Sequence, residues 1–174
     1  KHALSHRGNA LRAAVESGLF RQLPQQAIFE DNFSATPAGD WHWLRQQRDG
    51  WWILDGALQI KALPGSLWQD TNDARNVLLR PAPDCPANVE VMVSNDPAVD
   101  AEQAGLVYYV DDDNYIKIVK EHLKGDVWIV MARECGGEFT VVNKVPAETA
   151  TATLQLVIDG NRICGAFKRT LDGE

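Results

Sequence analysis

The chain has 174 residues and a mass of 19.3 kDa, enough for one domain with a hydrophobic core that needs neither disulfides nor metals. Its 17 basic and 24 acidic residues give a formal charge of −7, the wrong sign for binding phosphate backbones, so nucleic acid is excluded as a partner. Three scattered cysteines without C-x-x-C spacing exclude a disulfide framework and a zinc or redox site, and the sequence predicts no metal and no cofactor.

The first element along the chain is a predicted helix. Apolar residues recur near a 3.6-residue period from Asn9 to Leu23, and Pro24 ends the pattern, so residues 1–24 are interpreted as an N-terminal helical segment. No apolar run approaches the roughly 20 residues that cross a bilayer, and no signal-peptide pattern opens the chain. No membrane partner is therefore predicted, and the compartment stays open with a slight preference for the cytoplasm.

Residues 25–174 change to short alternating runs rich in Val, Ile, Leu, Thr and aromatic residues, separated by Gly, Asp, Asn and Pro. Asp55-Gly56 and Asp159-Gly160 supply the positive φ of tight hairpins. Because adjacent antiparallel strands must each bury one face, the sequence predicts an all-β fold of two packed antiparallel sheets, a sandwich or jelly roll. The predicted strands are Ala27–Phe33, Trp51–Leu54, Ala57–Ile60, Asn76–Arg80, Val89–Ser94, Gln103–Val110, Tyr115–His122, Val127–Arg133, Phe139–Lys144, Thr151–Ile158 and Arg162–Arg169.

Two of these strands flank the acidic tip Asp111–Asn114. Asp and Asn favour tight turns through their own side-chain hydrogen bonds, so the tip is interpreted as a turn rather than a calcium site. Alternation along the second strand puts its isoleucines in the core and its polar side chains on the outward face. That outward face carries Tyr115, Lys117, Val119 and Glu121. It is either a binding surface or an ordinary solvated face with paired charges.

From Phe29 onward the order of motifs resembles the concanavalin A-like lectin/glucanase sandwiches. The likeness is carried by DNF, WHWLRQQRDGWWILDGALQIKALPGSLW, NVLLRPAP, EQAGLVYYVDDDNYIKIVKEH and LQLVIDGNRICGAFK, in this order. The nearest families are the C-terminal modules of family-43 β-xylosidases and the "regulation of enolase" domains. In such sandwiches a further Trp-containing hairpin and a closing strand follow the last of these motifs, and here that strand is expected to be missing beyond Leu171.

A second, shorter resemblance lies in residues 1–17, KHALSHRGNALRAAVES. They resemble the C-terminal tail of pyrophosphatases of unusual purine nucleoside triphosphates, where a Ser-His-Arg triplet precedes a final helix. Ser5, His6 and Arg7 match that triplet. Two interpretations stay open, a remnant or fusion joint and an ordinary helix capped by Ser5 or Asn9. The catalytic groups of that enzyme family lie in an upstream domain, so these residues alone are not expected to hydrolyse a triphosphate.

The resemblance implies a non-catalytic, lectin-like domain that binds carbohydrate, either beside a glycan-active enzyme or alone. Aromatic rings would stack on the sugar, and polar side chains would hydrogen-bond its hydroxyls. Trp43, Trp52 and Trp128 are assigned to packing. The predicted ligand-binding residues are Trp68, Arg80, Glu90, Gln103, Tyr109, Lys117 and Glu121.

Two other functions stay as alternatives. The first is a protein–protein interaction or assembly domain, whose partner is a fused enzyme domain or a second copy of the chain. The second is a weak glycoside hydrolase. Glucanases of this fold carry their acids as an E-x-D-x-E type run, which this sequence lacks. Only Glu90 could join Glu121 as a pair of carboxylates about 5–9 Å apart, so no catalytic residue is predicted.

Overall fold

The computed structural model of the protein describes residues 29–37, 39–84 and 86–169, except for the side chain of Arg169. Within these ranges no helix has the length and apolar character needed to cross a bilayer. Cys135 and Cys164 are free and exposed, while Cys85 lies outside the described residues.

The chain divides into two compact units, Lys1–Glu30 and Asp31–Glu174. The predicted N-terminal helix and the Ser5-His6-Arg7 triplet lie outside the described residues, and so does the chain end from residue 170. The elements of the second unit, in chain order, are β1 (His42–Leu44), a 3-10 turn (Arg48–Gly50), β2 (Trp51–Leu54), β3 (Ala57–Ile60), β4 (Val77–Leu79), β5 (Ala87–Ser94), β6 (Gln103–Asp111), β7 (Asn114–Leu123), β8 (Asp126–Cys135), β9 (Glu138–Pro146), β10 (Thr151–Asp159) and β11 (Arg162–Arg169).

Two antiparallel sheets dominate this unit. Strands β6-β7-β8-β9 form the front sheet, and strands β11-β10-β5 form the back sheet. Strands β2 and β3 form a separate hairpin, and β1 pairs with β4. Side chains from both main sheets meet in one core, where Ile118 and Ile129 of the front sheet pack with Leu154 and Leu156 of the back sheet. The predicted all-β antiparallel sandwich is confirmed.

The alternation of side chains explains this core. Along β10 the buried residues are Ala152, Leu154, Leu156 and Ile158, every second position, because neighbouring side chains in a strand point to opposite faces. Leu154 is fully buried, and burial of such a side chain contributes about 1.5–3 kcal/mol. On β6 the alternation predicts Ala104, Leu106 and Tyr108 on one side, and all three pack against the core.

One predicted strand is wrong in its described part. Residues 29–33 are not strand, because side chains compete for the backbone N–H groups that a strand would use. Asp31 Oδ1 accepts a hydrogen bond from the Phe33 N–H, and Asn32 Oδ1 accepts one from the Ser34 N–H. Strand β1 is not predicted from the sequence; it has three residues and, within the described ranges, pairs with β4 alone.

Candidate functional site

The side of the front sheet that faces away from the back sheet carries polar and aromatic side chains, and we call it the polar face. The strand register sets these side chains in rows that cross the sheet. One row consists of Tyr109, Tyr115, Glu134 and Phe139. A row near the opposite end consists of Gln103, Glu121, Trp128 and Pro146. Small and apolar residues between the rows, Val119, Val130 and Ala132, form a second buried cluster.

Glu134 anchors the first row. Only 3% of its surface is exposed, and its Oε2 atom accepts hydrogen bonds from the Tyr115 hydroxyl (3.0 Å) and the Gln69 N–H (3.0 Å). Its Oε1 atom is buried and accepts no hydrogen bond from the described residues. Burial, and then the hydrogen bond to Glu134, raises the pKa of Tyr115. The carboxylate therefore joins the sheet to the loop between β3 and β4.

That loop holds Trp68 in an exposed position. The Ser66 N–H donates to Asp73 Oδ1 (2.8 Å), and the Ser66 carbonyl accepts from the N–H groups of Asp73 (3.0 Å) and Ala74 (2.9 Å). The Ser66 hydroxyl accepts from the Trp68 N–H (2.8 Å). Trp68 is 56% exposed, and its ring centre lies 5.8 Å from that of Phe139. Hydrogen bonds within the loop therefore hold its backbone in place, and the Trp68 ring lies at the edge of the polar face.

Lys117 occupies the middle of the polar face. The residue is half-buried, and its ammonium donates a hydrogen bond to Gln103 Oε1 (2.7 Å) and lies 5.6 Å from the ring centre of Phe139. Gln103 is on β6 and Phe139 is on β9, the two edge strands of the front sheet. These strands are separated by three strand spacings, or about 14 Å. The Lys117 ammonium is therefore near one side chain from each edge of the sheet. Burial lowers the pKa of Lys117, and the charges of Glu121 and Glu134 oppose that change.

Glu121 is the second acidic residue of the polar face. It is 7% exposed, and within the described residues its carboxylate accepts no hydrogen bond. Burial raises its pKa, while the charge of Lys117 lowers it. The sequence predicts Tyr115 and Glu121 on the outward face, and they do lie there. That face is not simply solvated, because both residues are buried.

The acidic tip of the β6–β7 hairpin is a turn, as predicted. Asp111 Oδ1 accepts hydrogen bonds from the Asp113 N–H (2.9 Å) and from Asn114 Nδ2 (2.8 Å). Asp112 binds both terminal nitrogens of Arg45 at 3.0 Å and accepts a third hydrogen bond from the Tyr109 hydroxyl (2.7 Å). Burial and the bond to Asp112 raise the pKa of Tyr109 to about 12. Among the described residues, no group of three His, Cys, Asp or Glu side chains is arranged to hold a metal.

The structure brings together most, but not all, of the predicted ligand-binding residues. Trp68, Gln103, Tyr109, Lys117 and Glu121 lie on or beside the polar face.

Arg80 and Glu90 lie elsewhere. Arg80 follows β4, and its guanidinium lies 5.4 Å from the ring centre of Trp41. Glu90 is on β5 in the back sheet, where it pairs with Lys168 (3.4 Å) beside a shallow depression of about 240 Å³. Glu90 therefore cannot provide the second carboxylate beside Glu121.

Glu134 and Phe139 belong to the site but are not predicted from the sequence. The predicted strand ends at Arg133, one residue before Glu134, whereas β8 continues to Cys135. Pairing of Phe139 with Glu134 depends on the strand register, which alternation alone does not give.

The tryptophans assigned to packing differ in environment. Trp43 stacks on Trp51 with ring centres 4.7 Å apart, and Trp128 is half-buried beneath the Lys144 ammonium (4.1 Å). The packing assignment is wrong for Trp52, which is 43% exposed and donates a hydrogen bond from Nε1 to Gln59 Oε1 (2.8 Å).

Comparison with known proteins agrees with this architecture. The GH43 BlXynB protein from Bacillus licheniformis has a similar structure, with a TM-score of 0.74 and 22% identity over 85% of this chain and 30% of that chain. A point mutant of BlXynB gives the same TM-score and identity. The Bacteroides ovatus xyloglucan PUL GH43B protein gives a TM-score of 0.63 with 22% identity, over 85% of this chain and 31% of the other. The chain thus spans less than one third of these proteins.

No curated protein matches the chain. Residues 30–174 match the family described as the β-xylosidase C-terminal concanavalin A-like domain. This match covers more than half of the chain and the whole of the described sandwich. The chain therefore belongs to the family of β-xylosidase C-terminal concanavalin A-like domains.

Proposed function

We propose that this domain is the accessory module of a glycan-active enzyme and that its polar face binds carbohydrate. A sugar offers hydroxyl groups on its edges and an apolar patch on each ring face. Lys117 offers an ammonium donor, Glu121 offers a carboxylate acceptor, and Trp68 offers an exposed ring on which a sugar can stack. The family membership supports the accessory role, because its description places such domains at the C-terminus of β-xylosidases.

The observation that carries this proposal is that the buried residue Glu121 and the half-buried residue Lys117 lie on the same face of β7 and that their charges interact. Charged groups lose favourable hydration when they are buried, and apolar side chains would make a more stable surface at these positions. A carboxylate with a raised pKa beside an ammonium with a lowered pKa is therefore a feature typical of functional sites.

The proposal is tested by isothermal titration calorimetry with xylo- and gluco-oligosaccharides. We expect the protein to bind at least one series with a millimolar or lower Kd. Trp68→Ala, Lys117→Met and Glu121→Gln should each weaken binding at least tenfold, or about 1.4 kcal/mol. Trp52→Ala is the matched control, since Trp52 is also an exposed tryptophan but lies on the β2–β3 hairpin. Unchanged binding by all three polar-face variants would contradict the assignment of the site.

A second candidate function is docking against another protein domain. The β2–β3 hairpin exposes the large apolar side chains of Trp52 and Leu54 on one face, and that of Ile60, which pairs with Trp51, on the other. Neighbouring exposed apolar side chains such as Trp52 and Leu54 are typical of surfaces that meet another protein. If this function dominates, the domain self-associates or binds a separately produced enzyme domain, and Leu54→Ser reduces that association in analytical ultracentrifugation. Titration with the oligosaccharides then gives no heat.

A further inference from the structure

The Lys117 amine lies on an open surface with few partners for its charge. Within the described part of the chain its ammonium donates one hydrogen bond, to the neutral side chain of Gln103 (2.7 Å). No carboxylate of the described residues forms an ion pair with it. Lys120, on the opposite face of the same strand, instead donates to two carbonyl oxygens. The two lysines of β7 therefore differ in how well the protein satisfies their charge.

The side chains around Lys117 are largely apolar. Lys117 pairs with Val107 on β6 and with Ala132 on β8, and Ala132 is fully buried. Val119, two residues further along β7, belongs to the second buried cluster. The Phe139 ring centre lies 5.6 Å from the ammonium. Because these four side chains offer no hydrogen-bond acceptor, burial among them disfavours the charged form of the amine.

The charged groups around Lys117 come from three strands of the front sheet. Glu121 on β7 and Glu134 on β8 favour the ammonium form, while β9 carries a second ammonium, that of Lys144. Burial is the larger effect, and it lowers the pKa of Lys117. The face also holds two tyrosine hydroxyls whose raised pKa keeps them neutral near neutral pH, those of Tyr109 and Tyr115. More of the Lys117 amine is therefore unprotonated near neutral pH than of an amine in water.

An unprotonated amine is a nucleophile toward aldehydes. The Nζ lone pair attacks the carbonyl carbon and gives a carbinolamine. Loss of water, formed from the carbonyl oxygen and the two amine hydrogens, then leaves a C=N double bond. The step needs no oxidant and no reductant. Proteins use partly desolvated lysines for Schiff bases of this kind.

We propose that Lys117 is a covalent modification site that captures small aldehydes as an imine. Its hydrogen bond to Gln103 lies at the exposed surface of the polar face, so an aldehyde can reach Nζ. Lys120 is only 3% exposed and has two strong acceptors, so it is closed to the same reagent. This reactivity goes beyond carbohydrate binding, because it requires a carbonyl carbon and no sugar ring.

The inference is tested by incubating the protein with glycolaldehyde and sodium cyanoborohydride, which reduces the imine to a stable secondary amine. Peptide mass spectrometry then gives the labelling rate of each lysine. At about pH 7 we expect Lys117 to react at least about threefold faster than Lys124 and Lys168, two exposed lysines that serve as internal controls. Lys120 should react slowest although burial lowers its pKa as well, because it is inaccessible.

Glu121→Gln gives a readout that accessibility alone would not change. The charge of Glu121 raises the pKa of Lys117, so its removal should speed labelling of Lys117 by about twofold or more at about pH 7 and leave Lys124 and Lys168 unchanged. In denaturing urea the lysines of the wild type should react at one common rate.

The wild-type rates decide the inference by themselves. Equal labelling of Lys117 and the two exposed lysines, or labelling of Lys120 ahead of Lys117, overturns it. A preference for Lys117 that survives in urea also overturns it, because the local sequence rather than the polar face would then be responsible. For a Glu121→Gln variant with the circular dichroism of the wild type, a rate at Lys117 that stays the same or falls has the same consequence.

Discussion

Replacing Gly105 with alanine is expected to push β6 away from β7 beside the polar face. A Cβ atom at Gly105 would lie 2.7 Å from Val119 Cα and closer still to the carbonyl oxygen of Ile118. Ordinary contacts of a Cβ atom begin near 3.4 Å, so the two strands must separate by at least about 0.7 Å at this pair. Both opposing atoms belong to backbone, so no side-chain rotation can relieve the contact.

The cost combines three effects. Overpacking costs about 1–3 kcal/mol. Weakening two ladder hydrogen bonds near the Gly105–Val119 pair costs about 1–3 kcal/mol more. The smaller conformational freedom of alanine in the unfolded chain returns about 0.4–1 kcal/mol. The net loss in the free energy of unfolding is therefore about 1–6 kcal/mol, which corresponds to a Tm about 2–24 °C lower for a domain of this size.

Thermal and urea unfolding followed by circular dichroism measure this loss. Gly56→Ala is the control, because Gly56 has a φ of 70° but a Cβ atom added there would meet nothing within 4 Å. We expect that substitution to cost only about 1–2 kcal/mol, from the left-handed backbone alone. If Gly105→Ala lowers the Tm by less than the control does, with unchanged ligand binding, then β6 is not held against β7 as described.

Three further predictions concern the core and the anchors of the site. Leu154→Ala should lower the free energy of unfolding by about 2–5 kcal/mol in urea, since the side chain is fully buried; a loss below about 1 kcal/mol would contradict its central place in the core. Tyr115→Phe removes the hydroxyl that donates a hydrogen bond to Glu134 and should lower the free energy of unfolding by about 1–3 kcal/mol in the same assay. A variant as stable as the wild type would show that this hydrogen bond contributes nothing to stability. The hydrogen bonds from Arg45 hold the pKa of Asp112 below its ordinary value, so the ion pair stabilises the fold fully above about pH 4 and ceases to do so as the pH falls through the folded pKa. The Tm of the wild type should exceed that of Asp112→Asn at about pH 7 and approach it near pH 2; a difference that is constant with pH would exclude this ion pair as the cause.

Alternation predicts the architecture well because each strand has to place one face in the core. Strand β10 is predicted to within one residue, since its buried positions are all apolar and the Asp159-Gly160 turn fixes its end. The prediction for residues 29–33 fails for a local reason, because Asp31 and Asn32 cap their own backbone. Apolar content alone does not reveal that competition.

The candidate site is harder to predict than the fold. Alternation tells whether a side chain points in or out, but not to which sheet its strand belongs, and so Glu90 is grouped with residues of the front sheet. Contacts such as Arg45–Asp112 join residues 67 positions apart. Glu134 enters the site through a pairing register that only the assembled sheet defines.

Strand β7 carries two buried charged residues, Lys120 and Glu121, and one half-buried charged residue, Lys117, and the three differ in their hydrogen bonds. The Lys120 ammonium lies on the core side and donates hydrogen bonds to the carbonyl oxygens of Asn95 and Ala150. These bonds satisfy the charge within the protein and connect two loops. On the polar face Lys117 donates one hydrogen bond to the part of the chain that the structure describes, and its acceptor is a side chain, although an ammonium can donate three. Glu121 accepts none from the described residues. Because buried charges are costly when unsatisfied, the two polar-face charges are the ones whose hydrogen bonds a ligand with hydroxyl groups would complete.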